Sequence, residues 1–534
     1  MKRVLLAAVG VVAVAVWGFG GRGNLGRADE WSILPNGTVW PFGAWLLPLA
    51  VLLIFGGLGA GFAVYDRFKR AKTRKEQKAS VVTTLICLGF LGFLLPWTVL
   101  GPGELQRINE PSQLTRITLE GRFNLLASQW SDVATEYFGT AYSIDNPRDF
   151  TRTYAATRQN PVSHALAHVA THPPGATLWF YGVRRFVEGV PGFNQGLNAL
   201  AARLTGQQES QLSSVLNQVR VTASRGAGGP TLPPLPNGAV GGSLFCVFLM
   251  GLSLVLALPA VYGLATVGSD ESSLNETEAR GLFACALWVL SPSLNLYAFS
   301  LDTVIACGAA WTLFFAARAL VQGKARDGVL TGVGLALTTM LSFGALALGP
   351  VILLAALFSR TPLARWGRTA AFAASAFVLA WFVVALWGGF NPFQVLFQAT
   401  NAHKAATLAV RSYSGWVLRN LFVWAVFCGW PLVICLAEAA RSRKELIIRS
   451  GTRKEANGFP LELAFALGTI STLVLLCLLG QVRGEVERLW LFLLAPLAAS
   501  VVARSGKEAT ALAVLQGVQT LVMAATIAPL VRPF

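Results

Sequence analysis

Two short motifs in the polar stretch at roughly 101–240 carry the residue types for acid–base chemistry. The first is Trp130-Ser131-Asp132-Val133-Ala134-Thr135-Glu136-Tyr137-Phe138; the second is Thr171-His172-Pro173-Pro174-Gly175. Asp132 and Glu136 are four apart and share one face of a helix. A carboxylate just outside a bilayer, near the end of an amphipathic helix, is suited to take the proton of a substrate hydroxyl. The competing reading is that Ser131 or Asp132 caps the start of a new helix. His164, His168 and His172 are spaced four apart, and two histidines at that spacing can chelate a metal. Pro173, however, biases His172 out of the helical region, so a three-histidine face is not expected. His172 with Pro173 and Pro174 then reads as a structural turn that fixes the entry of the next helix.

A second group of polar residues follows much later in the chain. One set contains His403, Lys404, Arg411, Tyr413, Trp416 and Arg419; another runs Arg483-Gly484-Glu485-Val486-Glu487-Arg488. Lys404, Arg411, Arg483 and Arg488 are the candidates for gripping an anionic phosphate. Any one of them also reads as a solvated or snorkelling side chain. Asp302, which follows Tyr297-Ala298-Phe299-Ser300-Leu301, is ambiguous in the same way, and Asp29-Glu30 is a rival carboxylate pair of lower rank.

The elements that must position these residues are membrane helices. Of 534 residues 54% are hydrophobic and 13% charged, against about 25% charged in ordinary chains, and the mean hydropathy is +0.55. Apolar runs predict an all-α polytopic membrane protein of about thirteen helices, at roughly 4–20, 43–65, 82–100, 241–266, 281–298, 303–320, 328–341, 345–358, 370–388, 419–436, 461–480, 489–504 and 509–530. The first reads as an uncleaved signal anchor. Lys and Arg concentrate in the loops at 66–80, 359–369 and 437–460, the positive-inside pattern. This places the 101–240 loop, with shorter loops at 21–42, 389–418 and 481–488, on the extracytoplasmic face. Topology and anionic lipid account for the net charge of +17, so no nucleic-acid partner is expected. The seven cysteines all fall in apolar runs and read as small hydrophobes.

Within the large loop, Leu119, Phe123, Leu126 and Trp130 recur at helical spacing, so 118–130 reads as a half-buried helix ending just before Asp132. A second such period runs over 194–219, and 225–242 is linker-like in its Gly and Pro content. Residues 176–187 are apolar but too short to span, and Arg184-Arg185 interrupts them. If they crossed, every later basic loop would lie outside. They are therefore expected to form an interfacial helix with Trp179 and Tyr181 at headgroup level.

The order of a span at 82–100, the motif Ser131-Asp132-x3-Glu136-Tyr137, the turn Thr171-His172-Pro173-Pro174-Gly175, and many later spans resembles the C-type integral-membrane glycosyltransferases. That superfamily includes protein O-mannosyltransferases and the aminoarabinose transferase of lipid A. Pro292-Ser293-Leu294-Asn295-Leu296-Tyr297 followed by Asp302 also resembles its helix-end pattern. The resemblance implies a core at 82–358, preceded by two spans and a basic loop at 1–81 and followed by C-terminal spans at 359–534. It implies an inverting transfer of a sugar from a polyprenyl phosphate to the hydroxyl of a lipid, glycan or protein. Asp132 matches the catalytic base, with Glu136 beside it, and His172, Pro173 and Pro174 match the structural turn. Tyr137, His172 and the four cations are grouped with the substrate. No metal ligand is assigned, although Asp132, Glu136 and His172 could gather around a divalent ion. The chain departs from the pattern in having Ser-Asp where an adjacent acidic pair is usual, two extra leading spans, and a long insertion after the turn. The rival readings are a transporter or flippase of lipid-linked intermediates and a non-catalytic scaffold with the same fold.

Overall fold

The computed structural model describes residues 2–19, 31–33, 51, 54, 73–100, 126, 129–130, 132–157, 167–205, 207–226, 234–268, 274–408, 411–449, 459–501 and 505–529. Among these the chain is α-helical apart from one short antiparallel pairing of Trp31–Ile33 with Ile527–Pro529. Five helices are long and apolar enough to cross a membrane: Arg74–Thr98, Ala239–Thr266, Leu301–Gln322, Leu363–Gly388 and Leu461–Leu479. The bent pair Tyr413–Cys428 and Trp430–Arg441 would make a sixth. The count of about thirteen is thus not reached among the described residues. The expected span at 43–65, most of the basic loop at 66–80, residues 101–125, His164 and the pair Asp29-Glu30 lie outside them, as does the side chain of His168.

Several apolar runs that read as single spans are broken helices. The run at 281–298 is helical over Leu274–Val289, turns at Ser291-Pro292, and resumes as the short helix Pro292–Leu296. Proline at the second start removes an N–H and sets the turn. The carbonyls freed by the break are taken up by side chains: Asn295 Nδ2 donates to Val289 O at 2.8 Å, and Thr520 Oγ1 to Leu290 O at 2.6 Å. The run at 419–436 bends by 108° at Gly429, whose φ of 98° excludes a side chain at no strain. There Gln516 donates to Cys428 O at 2.7 Å and Gln519 to Val426 O at 2.8 Å, while Trp430 N donates to Gln519 Oε1 at 2.9 Å. A broken helix inside an apolar bundle persists because neighbours re-satisfy its backbone. The run at 489–504 likewise forms three short pieces, Val486–Leu489, Leu491–Leu493 and Leu494–Ser500.

The helices Leu301–Gln322, Ala325–Leu341 and Leu363–Gly388 pack successively on one another. Trp381 Nε1 joins the last two by donating to Thr339 Oγ1 at 3.0 Å. Leu363–Gly388 turns Val378, Leu379, Phe382, Val383 and Leu386 outward, an apolar face suited to acyl chains. At one end of the bundle, ion pairs tie helices together: Arg3 with Glu438, Arg280 with Glu462, and Arg318 with Asp327 at 3.3 Å. Asp302 and Arg318 are sixteen residues apart on one helix, about 24 Å along its axis, so Asp302 belongs to the opposite end.

At that opposite end six helices form a cap: Asp132–Tyr142, Pro147–Thr157, Ala167–Thr171, Pro174–Gly189, Phe193–Thr205 and Glu209–Gly226. The period at 194–219 corresponds to the last two. Of the helix expected at 118–130, Leu126, Gln129 and Trp130 are described and are helical and buried. The segment 176–187 is helical as expected, and its Ala176, Phe180, Val183 and Val187 are buried, with the helix packed against Asp132–Tyr142 and Ala239–Leu256. Arg184, which breaks the apolar run, is itself engaged within the cap. Its Nη1 donates to the carbonyls of Ala141, Tyr142 and Ile144 at 3.2, 3.0 and 3.2 Å. It therefore caps the C-terminal end of the helix that Asp132 begins, where a cation is favoured.

Candidate functional site

Asp132 is the first residue of the helix Asp132–Tyr142. The carboxyl groups of Asp132 and Glu136 lie outside the described residues, so the site is built from their neighbours. Tyr137, the residue after Glu136, is buried and its ring meets His172 edge-on at 5.4 Å between centroids. The same ring stacks on Phe180 of the helix Pro174–Gly189 at 6.0 Å. The acidic helix and the His-Pro-Pro turn are therefore in direct contact.

The turn itself is fixed by its own residues. Pro173, at φ −70° and ψ 162°, is the residue before the helix, and Pro174 occupies its first position, where the absent N–H costs nothing. Tyr154 Oη lies 2.6 Å from Val169 O and 2.9 Å from His172 O, holding the approach to the turn. His172 Nδ1 sits 3.2 Å from Leu341 O and donates to it when the proton is on that nitrogen. Gly175 docks beside the same helix end: a Cβ there would lie 2.1 Å from Met340 O. The turn is thus a lid on the C-terminal carbonyls of Ala325–Leu341. Gly175→Ala should lower stability by about 1–3 kcal/mol, the cost of overpacking against backbone, read as an earlier thermal unfolding in detergent. An unchanged transition would reject this close contact.

Burial holds the His172 imidazole below its ordinary range. The bond to Leu341 O and the carboxylate of Asp302 oppose that shift, while Arg488 and His403 add to it. His172 is thus neutral in the fold, and its contribution to stability is fully present above the unfolded value of 6.5 and lost as pH falls toward the depressed one. His172→Gln should flatten the fall in melting temperature between pH 7 and 5.

The charges that His172 senses belong to a connected network. Asp302, in the first turn of Leu301–Gln322, accepts from Ser300 Oγ at 3.1 Å and faces Arg488 Nε at 3.6 Å. Arg488 Nη2 donates to Glu485 Oε2 at 2.8 Å, and Arg411 Nη2 donates to Glu485 Oε1 at 2.9 Å. Burial alone would depress Arg488, but Asp302 and Glu485 outweigh it and hold the guanidinium above its ordinary value. Arg411 also donates to Arg483 O at 2.6 Å, and Arg483 returns bonds to Leu408 O at 2.8 Å and Arg411 O at 2.6 Å. Arg411 and Arg419 both lie over the Trp416 ring, at 5.9 and 4.9 Å from guanidinium to centroid. Asn420 clamps the same loop, donating to Val482 O at 2.7 Å and accepting from Gly484 N at 3.0 Å.

The four cations expected to grip phosphate thus differ in situation. Arg488 is gathered with Tyr137, His172 and Asp302. Arg411 and Arg483 tie Leu408 and Arg411 to the loop 480–485, both guanidiniums being engaged by backbone carbonyls. Lys404 is exposed. Glu485 was passed over among the candidates, yet it bridges Arg411 and Arg488. Its signal was an acid between two arginines in one short loop. Among the described residues no group of three or more His, Cys, Asp or Glu is placed to hold a metal ion.

Among the described residues this is a predominantly α-helical protein with several helices fit to span a membrane, capped at one end by a helical layer that shares a partly buried polar cluster with two later loops. No family model, curated protein or solved structure matches the chain.

Proposed function

We propose that the chain is an inverting glycosyltransferase of the inner membrane, its site on the extracytoplasmic face, using a polyprenyl-phosphate sugar as donor. The observation that carries this reading is the contact of Tyr137 with His172, which joins the acidic helix to the His-Pro-Pro turn beside the Asp302–Arg488 pair. Asp132, at the start of the same helix, takes the proton of the acceptor hydroxyl. The hydroxyl oxygen attacks the anomeric carbon, and the bond from that carbon to the phosphate oxygen breaks. The electron pair leaves with polyprenyl phosphate, already a weak base, so no general acid is required. Arg488 stabilises the charge that gathers on the departing phosphate, with Lys404 available at the rim.

The acceptor is a lipid, glycan or protein hydroxyl on the same face. A transporter reading calls for ionisable residues inside spans, whereas the acidic partners of the pairs Arg280–Glu462 and Arg318–Asp327 lie in the first turns of their helices. The test is to reconstitute the full chain in liposomes with radiolabelled polyprenyl-phosphate hexoses and pentoses and an envelope acceptor fraction. Release of polyprenyl phosphate with label fixed to acceptor in inverted configuration is the expected result. Absence of turnover with every donor would reject the assignment.

A further inference from the structure

We propose that the helix Pro392–His403 lies in the membrane surface on the His172 side, with Phe393 and Phe397 among the lipid acyl chains. This stands independently of the transferase reading. The helix is well started: Asn391 Oδ1 accepts from Phe393 N at 2.9 Å and Gln394 N at 3.4 Å, and Pro392 follows at the first position. One face is seated on protein, with Val395 and Ala399 buried and the helix packed on Ala167–Thr171 and Pro147–Thr157. A second stripe one turn long is apolar and open, Phe393 being 81% and Phe397 67% exposed. Beside it a third stripe is polar, with Gln394 and Asn401 exposed, and exposed Lys404 follows the helix.

Three such sectors suit a helix with protein beneath, acyl chains on one flank and headgroups on the other. Acyl chains are the occupant because the preceding span Leu363–Gly388 ends with Leu386 and Trp387 turned outward, at 61% and 48% exposure. The lipid-facing surface therefore runs from the span through its aromatic end into Phe393, and Lys404 is placed to snorkel toward phosphate. At its far end His403 Nε2 meets Gln481 O at 2.7 Å, fastening the helix to the loop that carries Arg483 and Arg488. The helix thus joins the membrane surface to the polar cluster.

The experiment places a nitroxide at Phe393→Cys, Phe397→Cys and, separately, Gln394→Cys in the full chain. The protein is held in nanodiscs of phosphatidylcholine and phosphatidylglycerol, and the signal of the unsubstituted protein is subtracted. Power saturation at 393 and 397 should show collision with oxygen exceeding collision with an aqueous nickel chelate, and a smaller ratio at 394. Collision dominated by nickel at 393 and 397 would place them in water and overturn the proposal. So would exclusion of both relaxants, which would mean that another protein surface covers them.

Discussion

Asp132→Asn is expected to cut sugar transfer by about 10²–10⁴-fold, the usual contribution of a general base, with membrane level and melting temperature unchanged. The substitution separates the two readings of this residue. Asp132 opens the helix Asp132–Tyr142, and Asn is as good a residue as Asp at a helix start. If capping were its whole role, the amide would serve and activity would persist. The lost charge at the helix start is worth about 0.3–1 kcal/mol, too little for a rate loss of that size, so a large fall in transfer points to the carboxylate accepting a proton. Glu136→Gln, one turn along the same face, should cost less, because only one group takes the hydroxyl proton. Transfer within about twofold of the unsubstituted protein for Asp132→Asn would remove it as the base.

How much of this was legible in the residues depends on the range of the forces involved. Helices that begin after proline and stop at glycine are written locally: Leu461–Leu479 starts after Pro460 and ends at Gly480, whose φ of 62° closes it. The helical period over 194–219 and the apolar segment 176–187 were legible for the same reason. Breaks inside apolar runs were not. Gly429 and Pro292 are visible in the sequence, but a bent helix is tolerated only because Gln516, Gln519, Asn295 and Thr520 meet the freed backbone groups. Two of those partners, Gln516 and Gln519, stand nearly ninety residues from the break they serve. Hydropathy alone scores such a run as one span.

The polar cluster divides along the same line. The His-Pro-Pro turn could be read from proline geometry, but its seat on Met340 and Leu341 could not. Arg411 and Arg483 are identifiable from the sequence as cations in two polar loops. Whether a guanidinium is open to a ligand or bound to carbonyls is decided by a fold in which positions seventy residues apart meet. Arg184 divides likewise: its break in the apolar run is read locally, but its closing of the helix carrying Tyr137 depends on the fold.

Glu485 gives the second large effect. It adopts φ of 57°, a backbone conformation that a residue with a side chain occupies at a cost. It is held there by two ion pairs, to Arg411 at 2.9 Å and Arg488 at 2.8 Å. Glu485→Gln keeps the volume but leaves two largely buried guanidiniums without their shared counter-charge. Removing one member of a buried pair typically costs about 3–5 kcal/mol; with Glu485 and Arg488 each one-fifth exposed, about 2–3 kcal/mol is expected, near the worth of charged hydrogen bonds. Thermal unfolding should shift accordingly, and sugar transfer should fall because Arg488 is no longer held opposite Asp302. A cycle with Arg411→Gln decides whether the bridge is the cause. Once Glu485 is neutral, removing the Arg411 charge should restore part of the lost stability, giving a coupling of about 0.5–3 kcal/mol. Strict additivity of the two substitutions would mean that Arg411 and Glu485 act apart, and that the loops are held by backbone contacts alone.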